Sequence, residues 1–180
     1  MAMKSGRIRV FIATSIDGFI AGPDNDLSWL PEPSGDEAGD DHGYSAFMAE
    51  VGAMLMGRST YDTVVGFGIE WPYPVPVLVA SSRPFEPVHP TVRRVSGDIA
   101  SMLEQARAAA NGRDVYLDGG TLIRQASDAG LIDEVIISVI PVILGAGAPL
   151  FAGVEQRRKF ELVSSEAHRT GLVQLRYRPV

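Results

Sequence analysis

Apolar residues in this chain fall into two kinds of run, short β-branched stretches and stripes spaced three and four apart. Residues 7–14 (RIRVFIAT), 53–56 (AMLM), 75–80 (VPVLVA), 92–95 and 132–140 read as strands. The last is nearly all apolar, as in a strand buried on both faces. Helical spacing joins Tyr44, Phe47, Met48 and Val51. It also joins Ile99, Met102, Leu103 and Ala106, between an N-capping Asp98 and a stop at Asn111-Gly112. Leu122, Ile123 and Ala126 continue the pattern after Gly119-Gly120. Asp17-Gly18 marks a turn into a short return segment, 19–21. Residues 22–27 and 31–43 read as loops, the second long and at the surface. Segments 160–168 and 172–178 alternate around Thr170-Gly171, which predicts an antiparallel hairpin. The expected fold is α/β, a mixed and mainly parallel sheet flanked by helices on both faces, with a C-terminal antiparallel hairpin. Residues 7–180 are expected to form one domain, and residues 1–6 a disordered or vestigial N-terminus.

Composition narrows what such a domain does. The net charge of −6 argues against nonspecific nucleic-acid or anionic-membrane binding, which need basic surface. There is no cysteine, so disulfides, zinc–thiolate sites and a thiol nucleophile are excluded. No metal site is expected, and the cytoplasm is the default compartment. Residues 135–154 carry no charge over 20 positions, long enough for a membrane span. Pro141, Pro149 and three glycines interrupt them, so a buried strand followed by an apolar loop fits better. Residues 140–151 are too apolar for an exposed loop, which points to a homodimer interface.

Three strand ends carry chemistry. Val115-Tyr116-Leu117 runs into Asp118-Gly119-Gly120-Thr121 and a helix. A helix N-terminus presents unpaired N–H groups and a partial positive charge, and glycines let an anion approach. The same turn also suits a chain that merely needs a positive φ. Met56-Gly57-Arg58-Ser59-Thr60 repeats the strand–glycine–helix junction, and Ser81-Ser82-Arg83 closes the third strand. Ligands of open α/β sheets sit outside the carboxyl ends of strands. Together these ends suit several phosphates, as in NADPH, with arginine as the partner for a phosphomonoester. Taken singly, Arg58 and Arg83 read equally as solvated charges.

The order ATSIDGFIAGPDNDLSW, MLMGRSTYD, VLVASSR, VYLDGGTLIRQ resembles the dihydrofolate reductase fold family over most of the chain. The run IPVILGAGAPLF at 140–151 is similar to one branch, the reductase domain of riboflavin-biosynthesis deaminase-reductases and its single-domain relatives. The resemblance implies an NADPH-dependent reductase of a small heterocycle. By it, Ala13 and Ile20 meet the nicotinamide, and Gly57, Arg58, Ser59 and Thr60 hold phosphates. Ser81, Ser82 and Arg83 surround the 2′-phosphate, and Gly119, Gly120, Thr121 and Leu122 cradle the pyrophosphate. It also implies a non-proline cis peptide within Asp118-Gly119-Gly120.

For the proton donor it points to the region before the MGR strand. There Asp41 is the candidate, against its reading as an acidic surface residue, and His42 is a second. Trp29, Tyr44 and Phe47 are stacking candidates, although aromatics at helical spacing also serve as core, and Ser138 matches a substrate-facing strand position. The branch's lysine after Asp-Gly is replaced by Phe19. That leaves a phosphoribosyl aminopyrimidine, a pterin, or a nucleotide-binding module without catalysis as alternatives.

Overall fold

The computed structural model describes residues 6–31 and 41–180. Along the chain run β1 (Ile8–Ser15), β2 (Phe19–Ala21), α1 (Tyr44–Glu50), β3 (Val51–Gly57), α2 (Arg58–Gly66), β4 (Val77–Ala80) and β5 (Val92–Val95). They are followed by α3 (Ile99–Ala110), β6 (Asp114–Asp118), α4 (Gly120–Asp128), β7 (Glu134–Ile140), β8 (Ala148–Pro149), β9 (Phe160–Ala167) and β10 (Val173–Pro179). Eight strands form one sheet in the order β5-β4-β3-β6-β1-β7-β10-β9. The first six are parallel, and β10 runs antiparallel to both β7 and β9. The mixed, mainly parallel sheet and the terminal hairpin agree with the sequence pattern.

Strand side chains alternate between faces, and each face has its own core. On one side Leu55, Leu78, Val115 and Leu117 pack against Met102, Leu103 and Ala106 of α3 and Leu122, Ile123 and Ala126 of α4. On the other, Met54, Met56, Val77, Val79 and Tyr116 pack with Phe47 of α1 and Tyr61 of α2. Each fully buried leucine contributes about 1.5–3 kcal/mol. The α3 stripe is held as its sequence suggests. Asp98 accepts the Ser101 N–H at 2.9 Å, and Asn111 stops the helix at φ +50°.

Two boundaries differ from expectation. Strand β3 begins at Val51, not Ala53, so Gly52 lies inside a strand. A Cβ there would overlap the Ala110 carbonyl at the end of α3, so glycine permits the helix to lie close. Segment 140–151 is not all loop, because Ala148–Pro149 pairs with β2 in a small second sheet. Of the surface loop read at 31–43, residues 32–40 lie outside the described residues, as do residues 1–5.

At the N-terminal ends of the strands lies a buried ion cluster. Arg9, 2% exposed, donates to Glu134, 0% exposed, at 2.7 Å, and also meets Asp114 at 3.1 Å and Glu50. Arg7 closes on Asp114 at 2.7 Å and Arg178 on Glu134 at 3.2 Å. Burial pushes the Glu134 carboxyl up, but Arg9 foremost, with Arg176 and Arg178, holds it below the usual carboxylate value.

Candidate active site at the strand ends

The opposite, C-terminal ends of β4, β3 and β6 are neighbours. Gly57 stands opposite Ala80, and Met56 opposite Asp118. Helix α2 starts directly after β3, and α4 two residues after β6, so two helix N-termini open side by side. Gly119 makes this possible. Its φ is +102°, and a Cβ there would lie 3.0 Å from Thr60 Oγ1 and 3.2 Å from the Gly57 nitrogen. A Cβ on Gly120 would lie 2.9 Å from Ile20. Both glycines keep open a groove that a side chain at either position would crowd. No cis peptide occurs among the described residues, the Asp118-Gly119-Gly120 turn included. The expected cis bond is therefore corrected: the positive φ at Gly119 takes the chain from strand to helix.

A cleft of about 530 Å³ opens here. Its polar wall is Ser59, Thr60, Thr63, Asp118, Gly119, Gly120, Thr121 and Arg124. Its apolar wall includes Phe11, Ala13, Ile20, Leu27, Leu30, Val64 and Phe67. Asn25 donates to Thr63 Oγ1 at 2.6 Å, joining the loop after β2 to α2. Arg124 donates to the Pro149 carbonyl at 2.7 Å, to Leu150 at 3.2 Å and to Thr121 Oγ1 at 3.3 Å. Arg58 donates to Asp62 at 2.8 Å and lies 4.7 Å over the Phe85 ring, beside the turn that follows β4.

The carboxyl among the cleft's lining residues is Asp118. Burial pushes its carboxyl up to about 6, and the Gly119 N–H it accepts at 2.8 Å pulls back only partly. Nearby phenols respond to the same surroundings. Burial, then the Asp118 charge, raises Tyr44 to about 12 and also raises Tyr73 and Tyr116. Tyr116 donates to the Phe11 carbonyl at 2.8 Å, and Tyr44 meets Phe11 edge-on at 5.5 Å.

The fold thus brings Ala13, Ile20, Ser59, Thr60, Gly119, Gly120 and Thr121 to one cleft, with Gly57 and Arg58 at its β3 edge. Ser81, Ser82 and Arg83 follow β4 next door. There the Ser81 hydroxyl donates to the Arg83 carbonyl at 2.7 Å and shapes the turn. Leu122 is buried in the α3–α4 core, so only its backbone faces the helix N-terminus.

The catalytic and substrate expectations fare differently. Asp41 does not join the cleft. It is exposed, and its carboxylate accepts the Ser45 N–H at 2.7 Å and the Gly43 N–H at 3.0 Å. Bonds to Ser45 above all hold it below the usual carboxylate value, the wrong direction for a proton donor at neutral pH. His42 sits 3.3 Å from His168, Nδ1 to Nδ1, at the other flank of α1. Phe47 is core, 3% exposed, between Phe11 and Tyr116. Trp29 turns its indole N–H to the Asp26 carbonyl, and Ser138 is buried under Gln174, beside Ala13 in the sheet. Sequence reading missed Asp118, Asn25, Thr63 and Arg124 and, of the apolar wall, Phe11, Leu27, Leu30, Val64 and Phe67. A carboxyl at a strand's C-terminal end was the available signal for the first.

A mixed, mainly parallel sheet flanked by helices on both faces and closed by a C-terminal antiparallel hairpin is the dihydrofolate reductase-like architecture. Residues 7–174 match the RibD C-terminal domain, and the chain belongs to that family, the riboflavin-biosynthesis reductase-domain branch that the sequence resembled. It is 34% identical over 158 residues to the uncharacterised protein YwjB of Bacillus subtilis (strain 168), covering 85% of this chain and 87% of that one. A putative riboflavin biosynthesis protein from Shewanella sp. PV-4 superposes with a TM-score of 0.85 at 34% identity, covering 97% of this chain and 99% of that one. The diaminohydroxyphosphoribosylaminopyrimidine deaminase/5-amino-6-(5-phosphoribosylamino)uracil reductase of Thermotoga maritima shares the fold at TM-score 0.69 and 18% identity. There 98% of this chain covers 57% of the larger protein. Among the described residues no helix is long and apolar enough to cross a membrane.

Proposed function

We propose that the chain is an NADPH-dependent reductase of a small heterocycle, of the riboflavin-pathway type, acting in the cytoplasm. The observation that carries this reading is the cleft at the ends of β3 and β6, where the N-termini of α2 and α4 open side by side against Gly119 and Gly120. The donor set of the cleft fits a dinucleotide polyphosphate: N–H groups at the starts of α2 and α4 and hydroxyls of Ser59, Thr60 and Thr121, with Arg58 and Arg83 following the neighbouring strands β3 and β4. When bound, NADPH supplies the hydride. Ala13 and Ile20 orient the reacting rings, and the apolar wall excludes water from them. Asp118 is the proton donor of this reading: burial pushes its carboxyl up to about 6, which leaves roughly a tenth of it protonated at pH 7, far more than an ordinary carboxyl, and it lines the cleft.

The test is a thermal-shift titration. NADPH at roughly a hundredfold over its dissociation constant stabilises the fold by about 2.7 kcal/mol. No shift at millimolar NADPH removes the reading.

A homodimer belongs to the same proposal. Ile143 is 70% and Phe151 41% exposed in segment 140–151. An apolar groove of about 400 Å³ continues from Phe151 over Val135, Ile137, Phe160 and Tyr177. A second copy of the chain is the occupant this reading gives that exposed apolar surface. Light scattering at tens of micromolar is expected to give twice the chain mass, and a monomer overturns it.

A further inference from the structure

We propose that Arg124 is the counter-charge for a phosphate bound in the cleft, which in the reductase reading above is the dinucleotide's pyrophosphate. The proposal rests on that reading and adds a side chain to it. Among the cleft's lining residues the charged side chains are Asp118 and Arg124, and they stand on opposite sides of the sheet. Tyr116 packs on the α1 side, and strand side chains alternate, so Asp118 shares that face. Helix α4 covers the other, where Leu117 and Ile123 share one core. Among the described residues no carboxylate forms an ion pair with Arg124, whereas Arg58 is paired with Asp62 at 2.8 Å.

Helix geometry sets where that cation sits. Side chains on an α-helix lean toward its N-terminus, so Arg124 leans back over Gly120, one turn before it. Its Nη1 lies 3.1 Å from where a Cβ on Gly120 would stand. There Nη1 donates to the carbonyls of Pro149 at 2.7 Å and Leu150 at 3.2 Å, and Nη2 donates to Thr121 Oγ1 at 3.3 Å. Leu150 is 2% exposed, so this clasp is anchored in the core and the guanidinium is fixed in place. These bonds leave the Nε–H and one Nη2 hydrogen for a ligand. Neutral carbonyls hold the group without cancelling its charge. The helix dipole opposes a cation at this end, and the first turn of α4 has no acidic residue to offset it. A phosphate oxyanion removes that conflict by accepting charge-assisted bonds from the guanidinium beside the Thr121 hydroxyl. An ammonium lacks the planar fork needed to hold two carbonyls and a phosphate together.

The experiment is calorimetric titration of the full chain as parent, Arg124→Met and Arg124→Lys. The probes are NADP⁺ and, separately, inorganic pyrophosphate, each at about 0.05 M and about 0.5 M salt. At low salt the Met variant is expected to bind both probes at least about tenfold more weakly than the parent. Its affinity is also expected to vary less with salt, because salt screens a charge contact that the variant no longer makes. The Lys variant is expected to recover the salt dependence and part of the affinity. An arginine that only braced β8 would give the same loss at both salts and no rescue by lysine. Either result overturns the proposal, and so does a Met variant within about twofold of the parent. A parent that binds pyrophosphate through Arg124 but not NADP⁺ supports this residue and removes the cofactor reading. NADP⁺ binding with no dependence on Arg124 does the reverse, and binding of neither probe at about 1 mM removes both.

Discussion

Asp118 is a carboxyl held where its charged form is disfavoured, and that has two measurable effects. Its ordinary value is 3.8 and its value in the fold about 6. Between those pH values the unfolded chain releases this proton while the folded chain keeps it. Stability contributed at this position therefore falls as pH rises from about 4 to about 6 and stays lower above. Asp118→Asn keeps an acceptor for the Gly119 N–H and removes the half-buried charge. Chemical denaturation at pH 7 is expected to show a gain of up to about 3 kcal/mol, shrinking toward pH 4. Steady-state kinetics is expected to show the reverse: kcat/KM of the parent falls above pH 6, while the variant is about a hundredfold slower and loses that limb. A variant as active as the parent, with the same profile, removes Asp118 from proton transfer. At this scale the sequence was misleading for a physical reason. Asp118 stands in a glycine motif and reads as turn chemistry; only burial distinguishes it from Asp41, whose carboxylate is exposed and accepts two N–H groups at the start of α1.

Among the elements, the short strand β2 is positioned by a carboxylate that sequence showed only as a turn residue. Asp17 accepts the N–H of Leu144 at 3.1 Å and of Gly145 at 2.7 Å, and Leu150 donates to the Gly18 carbonyl at 2.9 Å. Ser15 first, then these N–H groups, draws the Asp17 carboxyl down to about 2. Its contribution is present above the ordinary value of 3.8 and is lost as pH falls through about 2, so the contact persists at pH 4. Asp17→Ala is expected to speed hydrogen exchange at Leu144 and Gly145 and to raise the KM for NADPH, because Ile20 of β2 borders the groove at Gly120. Unchanged exchange at both amides counts against the contact. Most strands and helices were legible because burial on both faces leaves continuous apolar runs and capping residues mark the α3 ends. The two-residue β8 was not, since two residues carry no period. Nor was the start of β3, where Gly52 reads as a break although it answers to the carbonyl of Ala110.

The whole molecule has two unlike ends. At one, Arg9, Glu134, Asp114 and Glu50 tie β1, β6 and β7 to α1 in a buried ion cluster. Removing one partner leaves the others charged and desolvated, so Glu134→Ala is expected to destabilise by about 3–5 kcal/mol in urea unfolding. Because Glu134 is held below its ordinary 4.5, that stability exists at neutral pH and is lost as pH falls below 4.5 through its folded value. A loss under 1 kcal/mol would show that the cluster adds little. Its partners lie up to 125 residues apart, so no local pattern in RIRVFIAT announces that Arg9 is interior. At the other end, the groove's floor between α2 and α4 is peptide backbone at Gly119 and Gly120. Mutation cannot retune a surface that has no side chains without closing it. Substitutions that retune this cleft without closing it would then fall on its side chains, at positions such as Phe11, Leu27, Leu30, Val64 and Phe67, and not at the two glycines.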